Sequence, residues 1–291
     1  MVDINSRNAI IPSIHSKYLQ LRSPKYKIHY FEQGEGEVIL CLHGNPTWSF
    51  YFRHLPKYLS KNYKIIAYDH IGSGYSSRPK CFKYRLQDHI DILNEFIEAK
   101  KLKKFHLLVH DWGGAIGLGW AKDNIKKIDK LIITNSAAFY SKDIPKRIAL
   151  LKLPIVGKFL MQKLNIFALA STVMASYKGL DKETKKLLLA PTKKINNRIG
   201  ITKFVEDIPT GKSHPSYITL KTIEASLKNI NVPTALMWGL QDFCFHREFL
   251  STWKKIYPHA KVFAYKEAGH FLFEDVKHSI CSDINKFLSK S

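Results

Sequence analysis

Short apolar runs recur along the chain without alternation between apolar and polar positions. Strands that are buried on both faces of a sheet have this pattern, which is typical of a parallel sheet covered by helices. The runs predict strands at 38–42, 64–68, 105–110, 130–134, 234–238 and 261–265. The first 25 or so residues lack such a run and are predicted to form a strap or an edge strand.

Helical periodicity fills the segments between these strands. Within 84–101, apolar residues are spaced by four, three and four positions and fall on one helix face. That face carries Leu86, Ile90, Leu93 and Ile97. Similar patterns predict helices after Arg247 and over 276–288. Alternating strands and helices predict an α/β fold with a mostly parallel, doubly wound sheet.

One long segment interrupts this alternation. From 137 to 230 the pattern contains no strand but lysine-spaced apolar stretches followed by a proline-punctuated piece. We therefore predict a core of residues 1–136 and 231–291, with 137–230 inserted as a helical cap over the carboxyl ends of the strands. The cap is basic, because 137–214 holds 15 Lys and Arg against 5 Asp and Glu.

Charge and composition narrow the function classes. The 291 residues are 45% hydrophobic, enough for a substantial core, and 46 Lys and Arg against 24 Asp and Glu give a net charge of +22. The lysines are scattered, and neither a basic run of five nor a recognisable nucleic-acid-binding module is present, so we expect no nucleic acid partner. Loose attraction to an acidic partner, or at most peripheral membrane contact, stays open.

The chain shows no sign of export or membrane insertion. Its longest stretch without a charged residue, 38–52, is too short to span a bilayer and contains Gly44 and Pro46. The N-terminus has no compact apolar run before a cleavage site, and the four cysteines form no CxxC pair. These observations favour a cytoplasmic protein without a disulfide framework.

The run FHLLVHDWGGAIG places Asp111 at the sharp turn between a buried strand and a helix. Small residues follow it, as in a nucleophile elbow, where a strained turn presents the reactive side chain. A carboxylate at this position attacks carbon that bears a good leaving group and forms an enzyme ester. The alternative is an Asp that only caps the next helix.

Two further residues offer hydrogen-bond donors at the same edge. The sequence CLHGNPTWS follows the strand at 38–42, and a His-Gly turn there is expected to direct backbone N–H groups into the site as an oxyanion hole. Asn45 adds a side-chain amide, and Trp112 adds an indole N–H beside Asp111. Turn formation for Asn45 and core packing for Trp112 are the alternatives.

A base and its orienting acid follow in the order that a catalytic triad on this fold requires. Asp242 lies just past the strand at 234–238, and His270 lies just past the last strand. His270 is predicted to activate water against an ester on Asp111, while Asp242 fixes its tautomer. Asn135, after the preceding strand, is neutral and cannot act as the acid.

The sequence predicts no metal and no cofactor. The run GSGYSS after the second parallel strand imitates a dinucleotide fingerprint, but it ends in Ser and opens no clear helix, so it is interpreted as a tight structural loop. The chain has no H-E-x-x-H motif and no Walker A lysine.

Together, HGNPTWSF, DHIGSGYSSRP, HDWGG, WGLQDF and EAGH resemble the haloalkane dehalogenase type of α/β-hydrolase over nearly the whole chain. Asn45 and Trp112 as anion donors, with Asp242 as the acid, resemble the third subfamily. The cap sequences NSAAF, LAP, NRI and FVEDIP are similar to those of the β-lactone decarboxylases of bacterial olefin biosynthesis.

This resemblance implies the α/β-hydrolase fold and an enzyme that converts a cis-dialkyl β-lactone to a long-chain olefin and CO2. It also implies association with other olefin-synthesis enzymes. The apolar stretches of 148–177 would suit such an oily substrate, or would form the core of the cap. Hydrolytic haloalkane dehalogenation, epoxide hydrolysis and a non-catalytic scaffold are the alternatives.

Overall fold

The computed structural model describes residues 3–5, 14–21 and 26–289. The strands are β1 Asp3–Asn5, β2 Ser16–Gln20, β3 Lys27–Gln33, β4 Glu37–Leu42, β5 Tyr63–Tyr68, β6 Phe105–Asp111, β7 Ile128–Ser136, β8 Thr234–Gly239 and β9 Lys261–Tyr265. The helices are α1 Leu55–Leu59, α2 Leu86–Ala99, α3 Trp112–Ala121, α4 Lys146–Leu151, α5 Val156–Gln162, α6 Ile166–Met174, α7 Lys182–Leu189, α8 Ile199–Glu206, α9 Tyr217–Ser226, α10 Arg247–Ile256, α11 Leu272–Asp275 and α12 Lys277–Leu288.

The strands form one sheet in the order β1-β2-β3-β5-β4-β6-β7-β8-β9. All six predicted strands are present and pair in parallel, while β1, β2 and β3 extend one side with antiparallel pairing. The prediction of an edge strand near the N-terminus is confirmed by β1 and β2, and the rest of the first 25 residues lies outside the described ranges apart from 14, 15 and 21.

The sheet separates two apolar layers, as expected for a doubly wound fold. Successive side chains of a strand point to opposite faces, and in β4 Leu40 and Leu42 enter one layer while Ile39 and Cys41 enter the other. The predicted stripe of α2 is buried in the first layer. Each such buried aliphatic side chain stabilises the fold by about 1.5–3 kcal/mol.

One strand departs from the predicted burial. β6 is buried at every position, whereas β9 is exposed or half-buried at every position. β9 is the last strand of the sheet and has a neighbouring strand, β8, on one side. A run of apolar residues in the sequence cannot distinguish such an edge strand from a central one.

Between β7 and β8 the chain forms helices and short 3₁₀ segments but no strand. The first five of these helices, α4 to α8, follow β7 in the chain. α9 instead contacts α2 and α3, and its Leu220 and Ile223 belong to the apolar layer beneath the sheet. The boundaries 137–230 for the cap stay a prediction. Among the described residues, we find no helix with the length and apolar character needed to cross a bilayer.

Candidate active site

Asp111 occupies the turn between β6 and α3, as the elbow motif predicts. Its φ of 51° lies in the left-handed region, which is strained for any residue with a side chain. The Ser136 hydroxyl donates to the Asp111 carbonyl at 2.5 Å and fixes this backbone. The turn also needs small neighbours, because a Cβ on Gly113 would lie 2.2 Å from the Leu42 carbonyl oxygen.

The two oxygens of the Asp111 carboxylate have different environments. Oδ1 accepts hydrogen bonds from the backbone N–H groups of Asn45 at 2.8 Å and Trp112 at 2.6 Å. Oδ2 faces His270, with 3.7 Å between Oδ2 and Nε2. The predicted backbone donors are thus present, but in this structure they hold the side chain of Asp111 itself. Oδ2 remains the oxygen that is available to attack a substrate.

The His-Gly turn approaches Asp111 so closely that residue 44 must be glycine. A Cβ at Gly44 would lie 2.1 Å from both Cβ and Oδ1 of Asp111, far inside van der Waals contact. The Asp111 carboxylate accepts the Trp112 N–H, as the cap of a helix would. It is, however, buried between two turns, so capping alone does not describe this residue.

Asp242 and His270 meet beyond the ends of β8 and β9. The His270 Nδ1 lies 2.8 Å from the Asp242 Oδ2, so the predicted acid and base are hydrogen-bonded. The Cys244 N–H donates to the other oxygen of Asp242 at 2.7 Å. The structure therefore brings Asp111, His270 and Asp242 together in the order that the sequence predicts.

The charges of these three groups depend on one another. Burial would lower the pKa of His270, but the negative charge and hydrogen bond of Asp242 outweigh it and raise this pKa above its ordinary value. Burial would raise the pKa of Asp242, yet the charge on His270 holds it below its usual value. Burial prevails at Asp111 and raises its pKa. A carboxylate with a raised pKa is more basic, and therefore a better nucleophile, than an exposed one.

Besides the two carboxylates, aromatic side chains pack around His270. Its ring lies 4.6 Å from the ring of His110 and stacks on Phe245 at 5.7 Å, measured between centroids. Burial keeps the pKa of His110 well below its ordinary value, so His110 is uncharged beside the base. The Tyr51 hydroxyl donates to the His270 carbonyl at 3.2 Å and helps to hold the loop after β9.

The predicted anion donors differ in what they offer. The Asn45 side-chain amide donates to the Ile201 carbonyl at 3.1 Å, which leaves one of its two N–H bonds for another acceptor. The Trp112 indole N–H has no acceptor within the described ranges, and its ring contacts Phe204 at 5.2 Å between centroids. Both side chains line the same cavity as Asp111.

This cavity has a volume of about 140 Å³ and a mostly apolar lining. Of the cap residues 148–177, which were expected to hold an oily substrate or to pack as cap core, only Ile148 and Phe167 line it. Most large apolar side chains of that stretch are exposed instead. The remaining lining residues are Leu86, Ala115, Ala137, Phe139, Tyr140, Ser141, Asp143, Ile144, Pro145, Val205, Ile208, Pro209, Leu220, Cys244, Phe245 and Phe249.

Two residues with positioning roles were not predicted from the sequence. Asn135 was considered only as a failed acid, but its amide donates to Asp242 Oδ2 at 2.8 Å and its oxygen accepts from the Gly239 N–H at 2.8 Å. Asp275 accepts the N–H groups of Gly269 at 2.8 Å and Tyr177 at 2.9 Å, and so joins the His270 loop to the cap. The signal for Asn135 is its place near the end of β7, next to β8, the strand that Asp242 follows.

Two groups of side chains in the described part of the chain place possible metal-ligand atoms within 4.8 Å of one another. They are Glu37, His106 and Asp129, and Asp143, His246 and Glu248. In the second group the Asp143 carboxylate and His246 already pair at 2.6 Å. Neither group includes Asp111, His270 or Asp242.

Comparison with known proteins finds relatives that match most of the chain. A family model described as alpha/beta hydrolase fold matches residues 37–276. The cis-3-alkyl-4-alkyloxetan-2-one decarboxylase of Shewanella oneidensis is 36% identical over 273 residues, which are 91% of this chain and 86% of that protein. Haloalkane dehalogenase 2 of Mycobacterium tuberculosis is 25% identical over 276 residues, or 90% of this chain and 91% of that one.

Solved structures show the same architecture. The haloalkane dehalogenase DatA from Agrobacterium tumefaciens C58 superposes with a TM-score of 0.87 at 23% identity, over 97% of this chain and 99% of that chain. The haloalkane dehalogenase DbeA from Bradyrhizobium elkani USDA94 gives a TM-score of 0.86 at 22% identity, over 96% and 100%. At this level of identity the likeness concerns the fold.

Proposed function

The chain belongs to the alpha/beta hydrolase fold family and is an enzyme of its haloalkane dehalogenase-like branch, and from that premise we propose that it converts a cis-dialkyl β-lactone to an olefin and CO2. The identity of 36% to a protein named as a decarboxylase of 3-alkyl-4-alkyloxetan-2-ones, against 25% to a dehalogenase, supports this substrate. The observation that carries the proposal is the position of the Asp111 carboxylate in the wall of an apolar cavity, with Oδ2 as the oxygen available to attack a substrate.

In the proposed reaction, Asp111 Oδ2 attacks C4 of the oxetanone ring, the saturated carbon that carries the ring oxygen. A C4–O bond to Asp111 forms as the bond from C4 to the ring oxygen breaks, and the released oxygen becomes part of a carboxylate. The C2–C3 bond then breaks and gives CO2, while its electron pair forms the C3=C4 double bond. The bond from C4 to Asp111 breaks with its pair and restores the aspartate. The sequence of steps consumes no water and needs no oxidant.

Asn45 and Trp112 serve this reaction as neutral donors. The free amide N–H of Asn45 and the indole N–H of Trp112 are available for the carboxylate that ring opening releases. Stabilising charge where it develops lowers the barrier most in a cavity with little water.

The cavity volume constrains how such a substrate would bind. An engineered protein cavity of about 150 Å³ holds a molecule the size of benzene, and the present cavity measures about 140 Å³. It therefore has room for the four-membered ring and the first carbons of each alkyl chain. Long chains have to extend between the cap helices.

Haloalkane dehalogenation is the second candidate, and the hydrogen bonds to Oδ1 favour it. When water attacks an ester on Asp111, negative charge develops on Oδ1, where the Asn45 and Trp112 N–H groups already point. His270, oriented by Asp242, is placed to activate that water. Decarboxylation does not require this step.

Product analysis with two substrates separates these reactions. We expect the purified protein to form olefin and CO2 from a cis-dialkyl β-lactone faster than it releases bromide from 1-bromobutane. Bromide release as the faster reaction would assign the chain to the dehalogenases. Inactivity of the wild-type protein with both substrates would favour the scaffold alternative.

Two variants test the assigned residues. Asp111→Ala should abolish turnover of either substrate, and turnover at the wild-type rate would contradict the assignment of the nucleophile. His270→Ala, given a haloalkane, should accumulate an alkyl ester on Asp111 that intact-mass spectrometry detects. Association with other olefin-synthesis enzymes stays a prediction.

A further inference from the structure

Helix α6 exposes an apolar stripe to solvent, whereas a helix that only covers a core buries its apolar side. Ile166, Leu169 and Val173 follow one another at i, i+3 and i+7, and their exposed fractions are 40%, 43% and 69%. The buried side of the helix carries the smaller residues Ala168 and Thr172. An amphipathic surface helix normally has the opposite arrangement.

The exposed apolar surface continues on the two preceding helices. α4 packs on α5 and α5 packs on α6, so their outer sides adjoin. Of the 14 large hydrophobic side chains that are exposed in the described ranges, 10 lie between residues 150 and 177. We call these ten side chains the cap face. Besides the three on α6 and Tyr177, they are Leu150, Leu153, Ile155, Val156, Phe159 and Leu164.

Within the segment that carries the cap face, every charged residue is basic. Residues 144–178 contain six Lys and Arg and no Asp or Glu. Lys146, Lys158 and Lys163 are exposed, and no acidic group in the described part of the chain pairs with them. Two of the six do not add to this unpaired charge. The Lys152 amine donates to the carbonyls of Val205 and Ile208, and the Lys178 amine lies 3.1 Å from a Glu267 carboxylate oxygen.

We propose that the cap face docks on an anionic lipid bilayer, with the α6 stripe entering the boundary between headgroups and acyl chains. Helices that lie in this boundary combine Leu, Ile and Phe with lysines that contact anionic headgroups. Lysine is depleted in interfaces between proteins, so the same composition fits a protein partner less well. The net charge of +22 adds long-range attraction to such a membrane.

Vesicle flotation tests the proposal with the full chain. We expect the wild-type protein to float with vesicles of phosphatidylcholine containing about one third phosphatidylglycerol at low salt, and to bind vesicles of pure phosphatidylcholine at least fivefold less. Leu169→Gln with Val173→Gln should reduce the bound fraction at least fivefold. The matched control is Ile218→Gln with Val262→Thr, since Ile218 has the same exposed fraction as Val173, 69%, and lies outside the cap face.

A second pair of variants separates the local lysines from net charge. Lys158→Gln with Lys163→Gln and Lys254→Gln with Lys255→Gln change the total charge equally, and all four lysines are exposed. Only the first pair should weaken flotation. Equal loss in both pairs, or a wild-type protein that does not float with anionic vesicles, would overturn the proposal and leave the cap face to a protein partner. Flotation involves no chemical step, so its result is independent of the lactone and haloalkane assays.

Discussion

At the scale of single residues, the charge on one carboxylate sets the protonation of the proposed base. His270 is buried, and burial alone favours its neutral form, while Asp242 at 2.8 Å favours the protonated form. The raised pKa of His270 is therefore a property of the pair. Asn135 donates to the same Asp242 oxygen and holds it in place for the imidazole.

Asp242→Asn should lower the pKa of His270, because it removes the charge that opposes burial and keeps a side chain of the same shape. A titration of the His270 ring protons by NMR measures the shift. Haloalkane hydrolysis, which depends on this base, should fall on the order of 10⁴-fold, as for other triads that lose the charge of their acid. The control is Asp129→Asn, which faces His106 and should leave His270 unchanged. An unchanged His270 pKa in Asp242→Asn would contradict the assigned pairing.

The sequence predicted the types and order of these residues but not all of their contacts. The strand-end positions of Asp111, Asp242 and His270 follow from the succession of strands, since parallel strands end at one edge. Which oxygen a backbone N–H contacts depends on a turn between distant segments, and spacing does not contain that information. For the same reason the sequence excludes Asn135 as the acid because it is neutral, but does not predict its contact with Asp242.

At the scale of elements, the site depends on how closely the turn after β4 packs against the elbow after β6. Gly44→Ala would place a Cβ 2.1 Å from Asp111 and push the turn away. We expect the Asn45 N–H to lose its hydrogen bond to Asp111 Oδ1, which should reduce activity about 10²–10³-fold. The free energy of unfolding should fall by about 1–3 kcal/mol. Steady-state kinetics and urea unfolding measure both effects.

Gly211→Ala provides the control for this substitution. Nothing lies within 4 Å of a Cβ at Gly211. Its free energy of unfolding should change by less than about 0.5 kcal/mol. Full activity in Gly44→Ala would show that the turn can move without disturbing the carboxylate.

Strands of the parallel part of the sheet were easier to predict than those of its antiparallel side. β4 to β8 are buried on both faces and leave uninterrupted apolar runs in the sequence. β3 carries Lys27, His29 and Glu32 among its apolar residues, and no strand was predicted there. Its antiparallel pairing with β5 and β2 depends on long-range contacts rather than on its own pattern.

At the scale of the whole molecule, Glu32 joins the antiparallel edge of the sheet to α2. Its carboxylate lies 2.7 Å from the Lys17 amine on β2 and 3.0 Å from the Lys100 amine at the end of α2. Burial would raise the pKa of Glu32, but the two lysines outweigh it and lower this pKa from 4.5 to about 2. In a chain of net charge +22, such a carboxylate also relieves repulsion among lysines.

Glu32→Gln should therefore reduce the free energy of unfolding at pH 7 by about 1–2 kcal/mol, less than the full equivalent of that shift because solvent screens the partly exposed lysines. Because the folded-state pKa lies below the unfolded value, the stabilisation is complete above pH 4.5 and disappears as the pH falls toward 2. Urea unfolding of both proteins across this range measures the difference. In the control, Glu267→Gln, the lost partner is Lys178 in an exposed pair, and the effect should be at most about 1 kcal/mol. A difference for Glu32→Gln that persists unchanged at pH 2 would contradict the argument.

The helices that form the cap face also form part of the cavity wall, since Ile148 on α4 and Phe167 on α6 line the cavity from the inside. A single layer of helix therefore separates the reacting groups from whatever covers the cap. For a catalyst seated on lipid by this layer, the relevant substrate concentration is the number of molecules per area of bilayer, not per volume of water. Adding inert lipid at constant total substrate would then slow turnover, the surface dilution behaviour of interfacial enzymes, and the oily product would leave into the same bilayer.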